Sequence, residues 1–153
     1  MKIYQSSITE KENSVIFSDY INIDNYSYIG NKLSLGDIMS IFKLISPTLI
    51  NINGNIYLKE HFDGYSQDEN NRFDNSPKGK EKYINNFAIT DLFYFSNDQK
   101  SRDKELQITL GEKILMFWKI RLTDLFPNIE FEFILSENGL YDESDVCITF
   151  CQK

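Results

Sequence analysis

The sequence predicts an α+β fold: a single domain with an antiparallel sheet and two main helices packed on one face. Two helices open with the same polar grammar and close at prolines. The remaining apolar residues alternate along short strands that turn signals separate. The chain has 153 residues, 41% of them hydrophobic and 25% charged, which suits one soluble domain with a real core.

Strands are expected near residues 2–8 and 14–18, where short apolar runs alternate. The first helix begins at Ser34-Leu-Gly-Asp37, a hydroxyl cap with a carboxylate three residues on. Leu35, Ile38, Met39, Phe42 and Ile45 then recur at helical spacing, and Pro47 ends the run. This stripe reads as core rather than as a cofactor box.

In "TLININGNIYL", Asn53-Gly54 separates two alternating apolar runs, a strong hairpin signal. A long connection follows at 63–82, and another strand is expected near 88–95. A second connection covers 96–106, "SNDQKSRDKEL". The second helix is expected to start at Thr109-Leu-Gly-Glu112 and to stop at Pro127. Its stripe is Leu110, Ile114, Phe117, Trp118, Leu122 and Leu125, with Trp118 the central plug.

"IEFEFIL" places Ile129, Phe131, Phe133 and Leu135 on one face and Glu130, Glu132 and Ile134 on the other. "SENGLYDES" turns the chain, and "DVCITF" returns with Val146, Ile148 and Phe150 inward. One apolar face implies a sheet covered on one side. Cys147 and Cys151 share a face of that last strand but sit about 13 Å apart along it. A disulfide needs Cα atoms within about 7 Å, so both thiols are expected free.

Charge narrows the partners. The formal net charge of −7 is uneven: residues 1–71 carry −4, residues 72–122 carry +3 and residues 123–153 carry −6. That field disfavours nucleic acid and anionic lipid and favours a basic protein partner. No apolar run approaches the roughly 18 residues of a membrane span. "MKIYQSSITEKENS" lacks a signal peptide's apolar core, so a cytoplasmic location is expected.

The most chemical stretch is "HFDGYSQDENNRFDN", residues 61–75, with the sole histidine beside four carboxylates. As an EF-hand starting at Asp63 it fails, because Tyr65 is a poor ligand and Asp68 stands where glycine is obligatory. His61 and Asp63 are the obvious acid-base pair, but no nucleophile accompanies them, and His61 reads as the last residue of a strand. Glu130 and Glu132, with Asp142, Glu143 and Asp145, form a second acidic group in a segment too negative to attract phosphate. "SPKGKEKY" is short, interrupted by Glu81, and reads as a solubilising loop. No nucleotide-binding glycine motif and no Cys-x-x-Cys occurs, so no catalytic residue, metal ligand or cofactor is assigned.

The C-terminal half is carried by "LGEKILMFWKIRLTDLFP", the aromatic strand "IEFEFIL", an acidic turn and "VCITF". Over residues 83–153 this order resembles small acidic bacterial immunity proteins of polymorphic and contact-dependent toxin systems. The resemblance implies a non-enzymatic cytosolic protein that neutralises a basic toxin domain; it transfers no individual residue. Tyrosines beside carboxylates suit such a role, and Tyr26, Tyr65, Phe73 and Tyr141 lie in acidic or Asn-rich segments. The expected contact residues are Asp63, Tyr65, Asp68, Glu69, Asp142, Glu143 and Asp145. Two alternatives stand beside this: a metal-dependent hydrolase using the acidic cluster with His61, and a structural or assembly subunit.

Overall fold

The computed structural model describes residues 6–20, 24–65, 73, 74 and 76–153. It bears out the α+β class, with helices and small antiparallel sheets. The chain divides into two compact units, Met1–Ile41 and Phe42–Lys153.

The smaller unit holds α1 (Glu10–Ile16), α2 (Asn25–Lys32) and the first turns of α3 (Leu35–Ile45). A strand was expected at 14–18, yet Ser14–Ile16 are helical. A short apolar run fits either period, and here the reciprocal capping box of Thr9 and Glu12 decides for helix. Of the strand expected at 2–8, residues 2–5 lie outside the described residues and Ser6–Ile8 are not in a strand. Asp24 caps α2, accepting from the Tyr26 and Ser27 N–H groups at 3.0 Å each. Phe17 and Tyr20 meet the Tyr28 ring edge-on at 4.8 and 4.9 Å.

The capping box of α3 is present, with Ser34 N–H donating to Asp37 Oδ2 at 2.8 Å and Asp37 N–H to Ser34 Oγ at 3.1 Å. Its stripe is not a core stripe, because Leu35, Met39 and Phe42 are exposed. Near the end of α3, Leu44 packs on the core of the larger unit.

In the larger unit, β1 (Leu49–Ile52) and β2 (Asn55–Leu58) form the expected hairpin. Asn53 and Gly54 both have positive φ, 53° and 91°, as a type I′ turn requires. Three further strands, β3 (Phe87–Ala88), β4 (Phe131–Ser136) and β5 (Cys147–Gln152), make a separate antiparallel sheet in the order β3-β5-β4. There are thus two sheets among the described residues rather than one. The strand expected at 88–95 shrinks to β3 and passes into a 3-10 turn, Ile89–Phe93. Its shortness leaves part of the β5 edge without a strand partner.

Side chains of α5 (Pro77–Ile84) occupy that gap. Glu81 Oε1 accepts from Ile56 N–H at 2.6 Å and Glu81 Oε2 from Gln152 N–H at 2.7 Å. Its C-terminal neighbour Asn85 accepts from Leu58 N–H at 2.8 Å and donates to the Ile56 and Phe150 carbonyls at 2.9 and 3.2 Å. The two residues join β2 to β5 through side chains where backbone pairing stops. "SPKGKEKY" is therefore a helix, not a solubilising loop: Ser76 caps it, Pro77 opens it, and its inward face is polar.

β5 is buried on both faces, which corrects the expectation of a sheet covered on one side. Ile148 and Phe150 meet α6 (Lys104–Leu125), while Thr149 Oγ1 donates to the Lys82 carbonyl of α5 at 2.8 Å. Glu132 likewise turns toward α5 and pairs with Lys78 at 2.8 Å. Cys147 and Cys151 are both free and buried.

Helix α6 starts at Lys104, five residues before the expected Thr109. Asp103 caps it through the Glu105 and Leu106 N–H groups, and a 3-10 turn at Gln99–Arg102 fills the expected 96–106 loop. Gln107, Gly111, Ile114, Trp118 and Leu122 form its buried line, while Phe117 and Leu125 are exposed. Trp118 is 2% exposed, meets Phe150 edge-on at 5.9 Å, and donates its N–H to Leu44 O at 2.8 Å. No helix among the described residues is long and apolar enough to cross a membrane.

Candidate functional site

The second strand of the hairpin runs straight into α4 (Lys59–Gly64), so His61 is a helical residue and not a strand end. Lys59 and Asp63 pair across one helical turn, which holds the Asp63 carboxylate on the exposed side. The 63–82 connection is thus helix at both ends, with residues 66–72 and 75 outside the described residues.

Between α4, the end of α5 and the β4–β5 loop lies a cleft of about 290 Å³. His61, Gly64 and Tyr65 line it from the first, Tyr83, Ile84 and Asn86 from the second, and Tyr141, Asp142 and Glu143 from the third. Each wall has a local cause. His61 Nδ1 lies 3.1 Å from Ile84 O, fastening α4 to α5, and its ring sits 5.9 Å from Phe87. The loop wall depends on Gly139, whose φ of 83° is unfavourable for other residues and where a Cβ would collide with the Glu143 carbonyl. Ser136 Oγ donates to Gly139 O at 2.7 Å and Glu143 N–H to Leu140 O at 3.1 Å, closing the turn.

Aromatic rings run through the walls in sequence. Tyr65 is 6.4 Å from Phe73, Phe73 stacks on Tyr83 at 4.9 Å, and Tyr83 meets Tyr141 edge-on at 5.0 Å. Lys80 Nζ stands 4.9 Å from the centroid of the Tyr65 ring, a cation–π contact at the margin of the cleft. Burial, with the negative charge of Asp74 second, pushes the Tyr141 hydroxyl up to about 12. Beneath the loop, burial also pushes the Cys147 thiol up. The Leu140 backbone and an Asn86 side-chain hydrogen bond oppose that rise, and Glu143 and Asp145 add to it. The Asn86 side-chain oxygen is itself buried without a hydrogen-bond partner.

Of the seven expected contact residues, Tyr65, Asp142 and Glu143 line this one cleft. Asp63 is engaged with Lys59, and Asp145 accepts from Thr90 Oγ1 at 3.1 Å, tying the loop to the turn after β3. Asp68 and Glu69 lie outside the described residues. Tyr83 and Asn86 were not anticipated, because the helix that carries Tyr83 and leads into Asn86 was read as a loop. Its signal was present in Ser76-Pro77, a cap followed by proline at the first helical position. Among the described residues, no group of three or more His, Cys, Asp or Glu side chains is placed to hold a metal ion. No family model, curated protein or solved structure matches the chain.

Proposed function

We propose that this chain is a non-enzymatic, cytoplasmic binding protein that neutralises a basic protein partner, a toxin domain, by taking its cationic side chains into the cleft of the larger unit. The observation that carries this reading is the convergence of Tyr65 with Tyr141, Asp142 and Glu143, residues from two distant acidic segments, on one concave surface. Carboxylates on a concave wall concentrate field and speed the approach of a basic partner. Tyrosines supply rigid apolar area that holds the partner once docked. The net charge of −6 over residues 123–153 extends the same field around the loop wall.

The test uses the C-terminal domain of a large secreted protein encoded beside this chain, purified and titrated by calorimetry. Truncating one member of a buried charge pair costs about 2–5 kcal/mol, so reversing Asp142 and Glu143 to lysine is expected to weaken binding by at least about 30-fold. Circular dichroism confirms that the variant is folded. Unchanged affinity after both reversals, or no binding of the neighbouring domain by the parent protein, would refute the reading.

A further inference from the structure

We infer that a second copy of this chain docks antiparallel on the outer face of α6, the two helices pairing about a two-fold axis between Phe117 and Ile120. The inference does not depend on the binding reading above. On the side of α6 away from its buried line, Met116, Phe117 and Ile120 form an apolar patch, 38, 39 and 61% exposed. Lys113 and Asp124 flank it, and the order Lys113, Phe117, Ile120, Asp124 runs at spacings of four, three and four. That alternation is how one helix offers a continuous seam to another.

The seam complements itself in one orientation. When Phe117 faces Ile120 of an antiparallel second copy, Lys113 falls beside that copy's Asp124, and symmetry repeats the pair at the other end. A parallel, in-register pair would set lysine on lysine and aspartate on aspartate. Antiparallel pairs centred on Phe117 or on Ile120 would face Lys113 with Arg121 or Pro127 instead. The helix end calls for the same cation. Asp124 lies in the last turn of α6, which holds no basic residue, so a carboxylate meets the negative end of the helix dipole. Lys113 of the second copy offsets both. Lys113 also interacts within its own chain, and the three donors of an ammonium leave room for Asp124.

Charge and position permit the approach. α6 carries four basic and three acidic side chains in a chain of net −7, so two acidic copies meet here without a charged wall between them. Ile148 and Phe150 meet α6 while Thr149 meets α5, so pairing through α6 leaves the cleft at the end of α5 open. The seam is about 16 Å long, too short for the roughly 1,200–2,000 Å² of stable complexes, so the dimer is weak.

Sedimentation equilibrium on the full chain at about 0.1 M salt tests this. A monomer–dimer equilibrium with a dissociation constant on the order of 100 µM is expected. Ile120→Lys, at an exposed position, should weaken it at least about tenfold, because each dimer contains the change twice. Asp124→Lys alone sets lysine on lysine at both ends, and Lys113→Glu alone sets carboxylate on carboxylate, so each should weaken self-association about threefold or more. Mixed together, the two variants make a pair with opposite charges at both ends, which should associate as tightly as the parent within about twofold. Circular dichroism checks that each variant is folded; the Ile120→Lys and Asp124→Lys measurements stand by themselves if Lys113→Glu is not. A chain that stays monomeric up to about 1 mM, a dimer indifferent to Ile120→Lys, or a mixture no tighter than its separate variants overturns the inference. A monomer whose Ile120→Lys variant loses affinity for the neighbouring toxin domain assigns this face to that partner and overturns it as well.

Discussion

Replacing Glu81 tests how the larger unit is held together. The side chain is 1% exposed and accepts from two backbone N–H groups, Ile56 at 2.6 Å and Gln152 at 2.7 Å, and from Gln152 Nε2 at 2.8 Å. Glu81→Ala leaves both backbone donors without an acceptor. An unsatisfied buried donor costs about 1–3 kcal/mol, so the pair costs about 2–6 kcal/mol. That is a large share of the roughly 5–15 kcal/mol by which a domain is stable. Glu81→Gln keeps the shape and one acceptor oxygen but turns an NH₂ group toward a donor, for a smaller loss of about 1.5–3 kcal/mol. Urea unfolding followed by far-ultraviolet circular dichroism measures both. With a slope of about 2 kcal/mol per M, the alanine variant should unfold roughly 1–3 M earlier than the parent. If Glu81→Ala lies within about 0.5 kcal/mol of the parent, as ordinary surface substitutions do, the side-chain bridge between β2 and β5 is not what stabilises the fold.

Four further outcomes follow from the same structure. Gly139→Ala should cost at least about 2 kcal/mol, from positive φ and the collision with the Glu143 carbonyl, and should disturb the Tyr141 resonances; denaturant unfolding and NMR read the two effects. Trp118→Phe leaves the Leu44 carbonyl without its donor and opens a void, for a loss of about 2–4 kcal/mol by the same unfolding assay. The hydrogen bond from Lys78 lowers the Glu132 carboxyl below its ordinary 4.5, so the pair's contribution is present above that pH and is lost as pH falls through the lowered value. Lys78→Met should therefore melt earlier than the parent at neutral pH, and the two curves should converge in acid below 4.5. Finally, Cys147 and Cys151 are buried with their thiols pushed up, so an aromatic disulfide reagent should modify them only as fast as the protein unfolds.

What the sequence disclosed and what it concealed divide along a physical line. Asn53-Gly54 disclosed the hairpin because two successive positive φ values leave few residue choices. Phe131, Phe133, Ile148 and Phe150 disclosed their strands because alternation is sustained over two six-residue runs with no competing helix cap, unlike the short run at 14–18. Helix α5 stayed hidden because its buried face is Gly79, Glu81 and Ile84 followed by Asn85, and a hydrophobic pattern cannot find a face buried for its hydrogen bonds. The start of α6 was misplaced for a related reason: Gln107, donating to Ser101 O at 2.8 Å, and Gly111, pressed against Ile148 and Leu135, are core positions that look like surface and breaker. At the site, the acidic loop residues were visible from composition. Their meeting with Tyr65 was not, since it depends on a helix and on a glycine turn.

The same hidden helix links stability to recognition. Successive residues of an α-helix are rotated by about 100°, so Glu81 and Asn85 share one face while Tyr83 points away from it. The inward face is fixed by hydrogen bonds to Ile56, Leu58, Phe150 and Gln152. The outward one carries Tyr83 into the cleft, and the chain just beyond brings in Asn86. Directional bonds to two strands set both the rotation and the height of α5, which apolar packing alone leaves loose. A cleft that recognises a partner needs its walls placed within about 0.5 Å, and rigid elements supply that better than loops. Glu81→Gln, still folded but one bond short, should therefore weaken binding of the neighbouring toxin domain at a distance, with the Tyr83 and His61 resonances shifted before any partner is added. Lost stability with an unaltered cleft spectrum and unaltered toxin-domain affinity would show that α5 is placed by packing and that the buried polar pair serves stability alone.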